Sequence, residues 1–76
     1  MEIQIKRENL EGHSTGGGMR DVRAIITIDD SLHPRMQRLS LIYETLGCLL
    51  GYVLTHEQID DISAILLDAF DQLEPL

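Results

Sequence analysis

Apolar residues recur every three or four positions through residues 34–54, and this spacing predicts a helix. The apolar positions of this segment are Met36, Leu39, Ile42, Leu46, Leu49, Leu50 and Val53. Pro34 suits the first turn of a helix, because its missing N–H has no intrahelical partner there. We therefore expect a first helix that begins near Pro34 and ends between Tyr52 and Leu54.

A second helix is expected directly after the first. Thr55 and Gln58 have the spacing of a capping box, in which each side chain accepts a hydrogen bond from the backbone of the other. Glu57 in the first turn complements the helix dipole. Pro75 prevents extension, so the helix is expected to end near Leu73.

Two segments before the helices have the patterns of β-strands. Ile3 and Ile5 alternate with polar residues, which indicates a short, half-buried strand. Residues 22–28 are rich in β-branched side chains and give the clearest strand signal. Between them, residues 9–21 form a polar, Gly-rich segment for which we expect a flexible loop.

The simplest pairing for two strands that follow one another is antiparallel. Two strands alone are barely stable in water, so they are expected to pack on the helices. The predicted fold class is therefore α+β, with a short antiparallel two-stranded hairpin on two helices. With 76 residues the chain is predicted to form a single small domain over residues 1–76.

The charge is unevenly distributed. The net charge is −7, from 13 acidic against 6 basic residues. All six Lys and Arg residues lie in the first 38 positions, and seven acidic residues follow with no Lys or Arg among them. This pattern argues against direct nucleic-acid binding, which needs a basic surface. It favours a protein partner with a basic surface.

The composition also bears on location. Cys48 is the one cysteine, which excludes an intrachain disulfide and favours a reducing compartment. The start of the chain has no signal-peptide pattern. The longest nearly apolar run, residues 46–54, is too short to span a bilayer. We therefore expect a soluble, cytoplasmic protein with no membrane partner.

The second helix is predicted to have one apolar and one acidic face. The inward face would consist of Ile59, Ile62, Leu66, Ala69, Phe70 and Leu73. The opposite face, here called the acidic ridge, consists of Glu57, Asp60, Asp61, Asp68 and Asp71. Like charges at helical spacing repel, and a basic partner would relieve this repulsion. The ridge is thus a candidate partner-binding site; the alternative is a solvated face that aids solubility.

Gly47 and Gly51 lie four positions apart in the first helix. Two glycines inside a helix cost about 1 kcal/mol each relative to alanine. We expect close packing against the strands or the second helix to offset this cost, or else a contact between two copies. Cys48 is expected to be a buried small apolar group rather than a nucleophile.

No metal or cofactor site is predicted. Residues 56–60 read H-E-x-x-D, but a helix N-terminus disfavours cations and a third ligand is not apparent. His13 and His33 lack metal-ligand spacing to another histidine.

Residues 37–51 resemble the active-site helix of small zinc metallopeptidase-like proteins common in phages and mobile elements, which reads Q-R-x-T-L-x-H-E-x-x-H-A. Tyr43 and Gly47 stand at the two histidine positions, and Glu44 is retained. The similarity spans residues 22–73, including the I-x-I-D pattern of residues 26–29. The resemblance implies a degenerate member on a minimal zincin-like scaffold, with Glu44 vestigial and no catalytic residue.

The leading hypothesis is a non-catalytic protein-binding module of phage or mobile-element type. It would inhibit a host defence or regulatory protein, for example as an anti-CRISPR, by placing the acidic ridge on a basic surface of a host or phage protein. One alternative is a residual zinc-dependent hydrolase with Glu44 as the base. Another is a homo-oligomeric structural protein, such as a homodimer, that uses Gly47 and Gly51.

Overall fold

The structure, a computed structural model, describes residues 2–11, 16–20 and 23–75. Three strands precede two helices: β1 (Glu2–Glu8), β2 (Gly16–Arg20), β3 (Arg23–Asp29), α1 (Pro34–Leu50) and α2 (His56–Leu73). The α+β class and both predicted helices are therefore confirmed.

The strands form one sheet in the order β1-β3-β2. β1 runs parallel to β3, with Ile5 opposite Ile26, and β2 runs antiparallel to β3, with Gly17 opposite Ile26. The predicted antiparallel pairing of the first strand with residues 22–28 was wrong. Fourteen residues, 9–22, separate β1 from β3, enough for the crossover that a parallel pair requires.

The Gly-rich segment contains a strand that the sequence analysis missed. β2 occupies Gly16–Arg20, so the predicted loop over residues 9–21 was wrong for these five positions. Residues 12–15 and 21–22 lie outside the described residues, and the flexibility expected of this segment stays a prediction. Glycines carry no strand signal of their own, and β2 forms only because β3 offers it a pairing edge.

The core lies between the sheet and α1. Ala24, Ile26 and Ile28 alternate along β3, so they share one face of the sheet, and all three are buried. α1 packs over this face and contacts β3 and β2, whereas α2 contacts α1 alone among these elements. The order of layers is thus sheet, α1, α2.

Local hydrogen bonds fix where each helix begins. The His33 Nδ1 accepts a hydrogen bond from the Arg35 backbone N–H at 3.0 Å. The Thr55 Oγ1 accepts from the Gln58 N–H at 3.1 Å, and the Gln58 Oε1 accepts from the Thr55 N–H at 2.9 Å. The predicted capping box is therefore confirmed. α1 ends at Leu50, a few residues earlier than predicted.

α2 is rotated about its axis relative to the prediction. Its buried residues are Ile59, Ser63 and Leu67, whereas Phe70 and Leu73 are 46% and 83% exposed. The remaining predicted inward residues are only partly covered or exposed: Ile62, Leu66 and Ala69. Among the described helices and strands α2 contacts α1, so its packing on α1 sets which of its faces turns inward.

Within the described part of the chain, neither helix is long and apolar enough to cross a membrane.

Candidate protein-binding site

The acidic ridge is exposed at its N-terminal end. Glu57, Asp60 and Asp61, here called the acidic segment, lie in the first two turns of α2, and all three are exposed. The capping box starts the helix at His56, which places the three carboxylates on neighbouring turns. Among the described side chains, no Lys or Arg is paired with them. The acidic segment therefore presents uncompensated negative charge.

The C-terminal end of the ridge is instead compensated by α1. The Arg35 Nε donates to the Asp71 Oδ2 at 2.8 Å, and an Arg35 terminal nitrogen lies 3.8 Å from the Asp68 Oδ1. Arg38 lies 3.9 Å from the Asp71 Oδ1. Asp68 and Asp71 have no basic partner on α2 itself and are paired with arginines of α1. These two carboxylates help to hold the helices together.

A cavity of about 510 Å³ opens beside the acidic segment, between α1 and α2. Its lining comprises Leu39, Ser40, Tyr43, Glu44, Asp60, Ser63 and Ala64. The cavity thus brings Glu44 of α1 next to Asp60 of the acidic segment.

Burial raises the pKa of the Glu44 carboxyl above its ordinary value of 4.5. The hydroxyl of the neighbouring Tyr43 lies 3.1 Å from the His56 Nδ1, a hydrogen bond that joins the middle of α1 to the start of α2. Tyr43 therefore makes a contact between the helices.

Ser63 contributes an unused polar atom to the cavity wall. Ser63 is 1% exposed, and its Oγ has no hydrogen-bond partner among the described residues. A buried hydroxyl without a partner destabilises a fold by about 1–3 kcal/mol. A ligand that hydrogen-bonds to it would recover part of that free energy.

Gly47 in α1 and Gly51 at its C-cap do not make the expected packing contacts with the strands or α2 within the described part of the chain. Both are exposed, and a Cβ placed on Gly47 would meet nothing within 4 Å in the described structure. A Cβ on Gly51 would collide with the carbonyl oxygen of Gly47, which belongs to the same helix. Their alternative role, a contact between two copies, stays a prediction.

Cys48 is partly buried on the same helix as Glu44. Burial raises the pKa of its thiol above the ordinary value of 9.0, and the negative charge of Glu44 raises it further. The thiol is therefore protonated near neutral pH, which makes it a weak nucleophile.

The described residues contain no group of three His, Cys, Asp or Glu side chains placed to hold a metal ion. Comparisons with protein-family models, curated proteins and solved structures gave no match for this chain. The resemblance to the metallopeptidase-like family therefore stays a proposal. Ser63 and the Arg35–Asp71 pair were missed by the sequence analysis, since each depends on how two helices face each other.

Proposed function

We propose that this protein is a non-catalytic protein-binding module that binds a basic protein surface through the acidic segment and the adjoining cavity. One observation carries the proposal: Glu57, Asp60 and Asp61 are exposed and unpaired, whereas the other ridge carboxylates are compensated by α1. Mutual repulsion of unpaired carboxylates is relieved when cations of a partner approach.

The cavity has the chemistry to receive a Lys or Arg side chain of that partner. Glu44 and Asp60 supply two carboxylates. Leu39 and Ala64 provide apolar wall against which the aliphatic stem of such a side chain packs. A cation would stabilise the ionised form of Glu44, which burial disfavours.

The sequence of α1 supports a proposal about the class of protein to which this chain belongs. Tyr43 and Gly47 occupy the histidine positions of the zinc-peptidase motif, and neither suits zinc. We propose a degenerate, cofactor-free descendant of that phage and mobile-element family on a minimal zincin-like scaffold. Its role would be to inhibit a host defence or regulatory protein, for example as an anti-CRISPR. The cavity would then be a former active-site cleft that binds a partner's side chain.

The test begins with affinity capture from host lysate, followed by calorimetric titration of the captured protein. A triple variant, Glu57→Lys with Asp60→Lys and Asp61→Lys, is expected to weaken binding at least a hundredfold. The matched control reverses three exposed acids outside the acidic segment, Glu8, Asp30 and Glu74, and changes the net charge equally.

The control is expected to bind within a few-fold of wild type, because screening confines the effect of distant exposed charges. Equal weakening by both triple variants would show that net charge, rather than this site, governs binding. Wild-type affinity in the first triple variant would refute the acidic segment as the contact surface.

A further inference from the structure

The first strand has an apolar face that the described helices leave uncovered. The register places Ile5 opposite Ile26 and Arg7 opposite Ile28, so both β1 residues lie on the face of the sheet that carries the core. α1 contacts β3 and β2, but among the described elements no helix contacts β1. Ile26 is therefore fully buried, whereas Ile5 is 48% exposed.

The charges of β1 are divided between its two faces. Successive side chains of a strand point to opposite faces, so Lys6 and Glu8 lie on the face opposite Arg7. Arg7 is exposed and has no hydrogen bond or ion pair among the described residues. The core side of β1 therefore carries one unpaired positive charge, although the strand as a whole is neutral.

Arg7 lines a groove of about 380 Å³ between the sheet and the start of α1. Ile5, Ile28 and Leu41 contribute apolar wall, and Arg38 is the second cation of the groove. Among the described residues that line it there is no Asp or Glu. This groove is thus positive on a chain whose net charge is −7.

Arg38 has hydrogen-bond donors to spare. A guanidinium carries five N–H donors, and one terminal nitrogen of Arg38 donates to the Glu74 backbone oxygen at 2.8 Å. The same nitrogen lies 3.9 Å from the Asp71 Oδ1, which is beyond hydrogen-bond distance. The Nε and the other terminal nitrogen of Arg38 have no hydrogen-bond partner among the described residues. Both arginines can therefore donate to an anion in this groove.

A second groove, of about 400 Å³, continues from Arg38 between the two helices. Arg38 and Leu41 line it as they line the first groove. Its further lining includes Leu46 of α1, Phe70 of α2 and, beside Arg38, the exposed Glu74. The two grooves together, here called the amphipathic groove, have a basic end at β1 and an apolar end between the helices. They share no lining residue with the cavity beside the acidic segment.

The length of the amphipathic groove fits a carbon chain of medium length. Arg38 and Leu46 are eight positions apart in α1, which is a rise of about 12 Å at roughly 1.5 Å per residue. An extended chain advances about 1.2 Å per bond, as the backbone does over its three bonds per residue. A head group held at the arginines therefore leaves room for a tail of about ten carbon atoms.

We infer that the amphipathic groove binds a medium-chain alkyl carboxylate, with its head on Arg7 and Arg38 and its tail between α1 and α2. Charge complementarity selects a single negative charge, because Arg7 is unpaired and Arg38 is already partly compensated by Asp71. The apolar walls select a tail, which gains free energy by leaving water. The inference goes beyond the proposed function, because the ligand is a small molecule and its site is separate from the acidic segment.

The first test is calorimetric titration of the chain with decanoate below its micelle-forming concentration. We expect one site with a dissociation constant of about 1 mM or lower, which the binding free energy per atom of small ligands allows. Decyltrimethylammonium, which has the same tail and the opposite charge, is then titrated against the decanoate complex. Absence of decanoate binding, or displacement of decanoate by the cation at equal concentration, would overturn the inference.

The head-group contact is tested by a pair of neighbouring substitutions. Arg7→Gln is expected to raise the dissociation constant of decanoate roughly tenfold or more, because a charge-assisted hydrogen bond is lost. Lys6→Gln is the matched control: it removes the same charge from the opposite face of β1 and is expected to change binding by about twofold or less. Equal weakening in both variants would show that net charge governs binding and would overturn the site.

The tail contact is tested on the unaltered chain with a series of carboxylates. Affinity is expected to rise from butyrate to decanoate and to level off for longer tails, because the groove ends near Leu46. Leu66→Asn is expected to weaken decanoate binding more than Ile65→Asn does, because Leu66 lines the groove and Ile65, 68% exposed, does not. An affinity that keeps rising beyond decanoate at the same rate would contradict a tail that ends between the helices.

Methyl NMR spectra identify where decanoate binds. Its addition is expected to shift the methyl resonances of Ile5, Ile28 and Leu41 and to leave those of Leu39 and Ala64, in the cavity beside the acidic segment, unchanged. Shifts confined to Leu39 and Ala64 would overturn the inference. The result is independent of the proposed function, because the titration contains no protein partner.

Discussion

Arg35 and Asp71 are 36 positions apart in the sequence, and the hydrogen bond between them is one of the polar contacts that join α1 to α2. Arg38 reinforces the contact: it donates to the backbone oxygen of Glu74 at 2.8 Å, and its guanidinium lies 5.8 Å from the centre of the Phe70 ring. The two arginines thus hold the last turns of α2 against the first turns of α1.

Asp71→Asn keeps the shape of the side chain and removes its charge. We expect the free energy of unfolding to fall by about 1 kcal/mol, because the ion pair is only partly exposed and its hydrogen bond is charge-assisted. Asp61→Asn, at an exposed and unpaired position, is the control and is expected to cause no loss. Urea denaturation measures both, and equal values for the two variants would contradict a stabilising role for the pair.

Glu44 makes stability depend on pH in a defined direction. Its pKa is raised in the folded state, so the folded chain keeps this proton to a higher pH than the unfolded chain does. Stability therefore decreases as the pH rises through the interval between the two pKa values. Glu44→Gln is expected to be more stable than wild type at neutral pH, by on the order of a few tenths of a kcal/mol for a partly solvated group.

This difference in stability between Glu44→Gln and wild type is expected to vanish below pH 4.5, the ordinary pKa of glutamate. Both the folded and the unfolded wild-type chain hold the Glu44 proton there. Urea denaturation at several pH values checks it. Glu57→Gln, at an exposed position in the first turn of α2, is the control and is not expected to gain stability at neutral pH. A constant difference between Glu44→Gln and wild type at every pH would rule out titration of Glu44 as its cause.

The reactivity of the Cys48 thiol is an independent probe of the charge on Glu44. Its thiol pKa is raised first by burial and second by the charge of Glu44. In Glu44→Gln we expect the pH profile of alkylation by iodoacetamide to move to lower pH, yet to stay above 9.0 because the burial remains. Glu57→Gln is expected to leave the profile unchanged. An unchanged profile in Glu44→Gln would mean that the two side chains do not interact.

At the scale of elements, the two glycines of α1 are expected to respond in opposite ways to alanine. Gly47→Ala places a methyl group in open space and improves helix propensity, so the free energy of unfolding should rise by about 1 kcal/mol. Gly51→Ala forces its Cβ against the Gly47 carbonyl oxygen, so the end of α1 must shift and stability should fall.

Thermal and urea denaturation distinguish these outcomes. A loss of stability in Gly47→Ala would point to a contact between copies at this position, which light scattering of the variant would then reveal as a change in mass. If the free energy of unfolding of Gly51→Ala equals that of wild type, the end of α1 adjusts to the new Cβ without strain.

At the scale of the whole molecule, the described core is small. Ile26 and Ile28, at the centre of the sheet, are among its fully buried large side chains. In the second half of α2 the main buried aliphatic residue is Leu67. A core in a domain of this size supplies about 3–5 kcal/mol. The protein is therefore expected to be sensitive to any loss of buried volume.

Ile26→Ala is expected to lower the free energy of unfolding by about 3 kcal/mol, because it leaves a cavity at a site with no exposure. Much of the helical circular dichroism should then be lost at room temperature. Leu73→Ala, at a position 83% exposed, is the control and is expected to change stability by about 0.5 kcal/mol or less.

The sequence by itself determined the features that depend on neighbours along the chain. Helix bounds follow from apolar spacing, from Pro34 and from the Thr55–Gln58 capping box, and the β3 strand follows from its β-branched residues. Each of these signals acts over a few residues, through backbone hydrogen bonds and side-chain shape, so it can be recognised without knowing the fold. The clustering of acidic residues on one side of the second helix was predicted from helical spacing for the same reason, whereas which of them pair with arginines depends on α1.

Only the tertiary structure decided how these elements meet. The parallel pairing of β1 depends on β2 taking the other edge of β3, and glycines give that strand no pattern of its own. The packing of α2 on α1 buries Ser63 and leaves Phe70 exposed, and Arg35 pairs with Asp71 across the interface. Periodicity shows that a helix has an apolar side, but which side is buried depends on contacts between residues far apart in the chain.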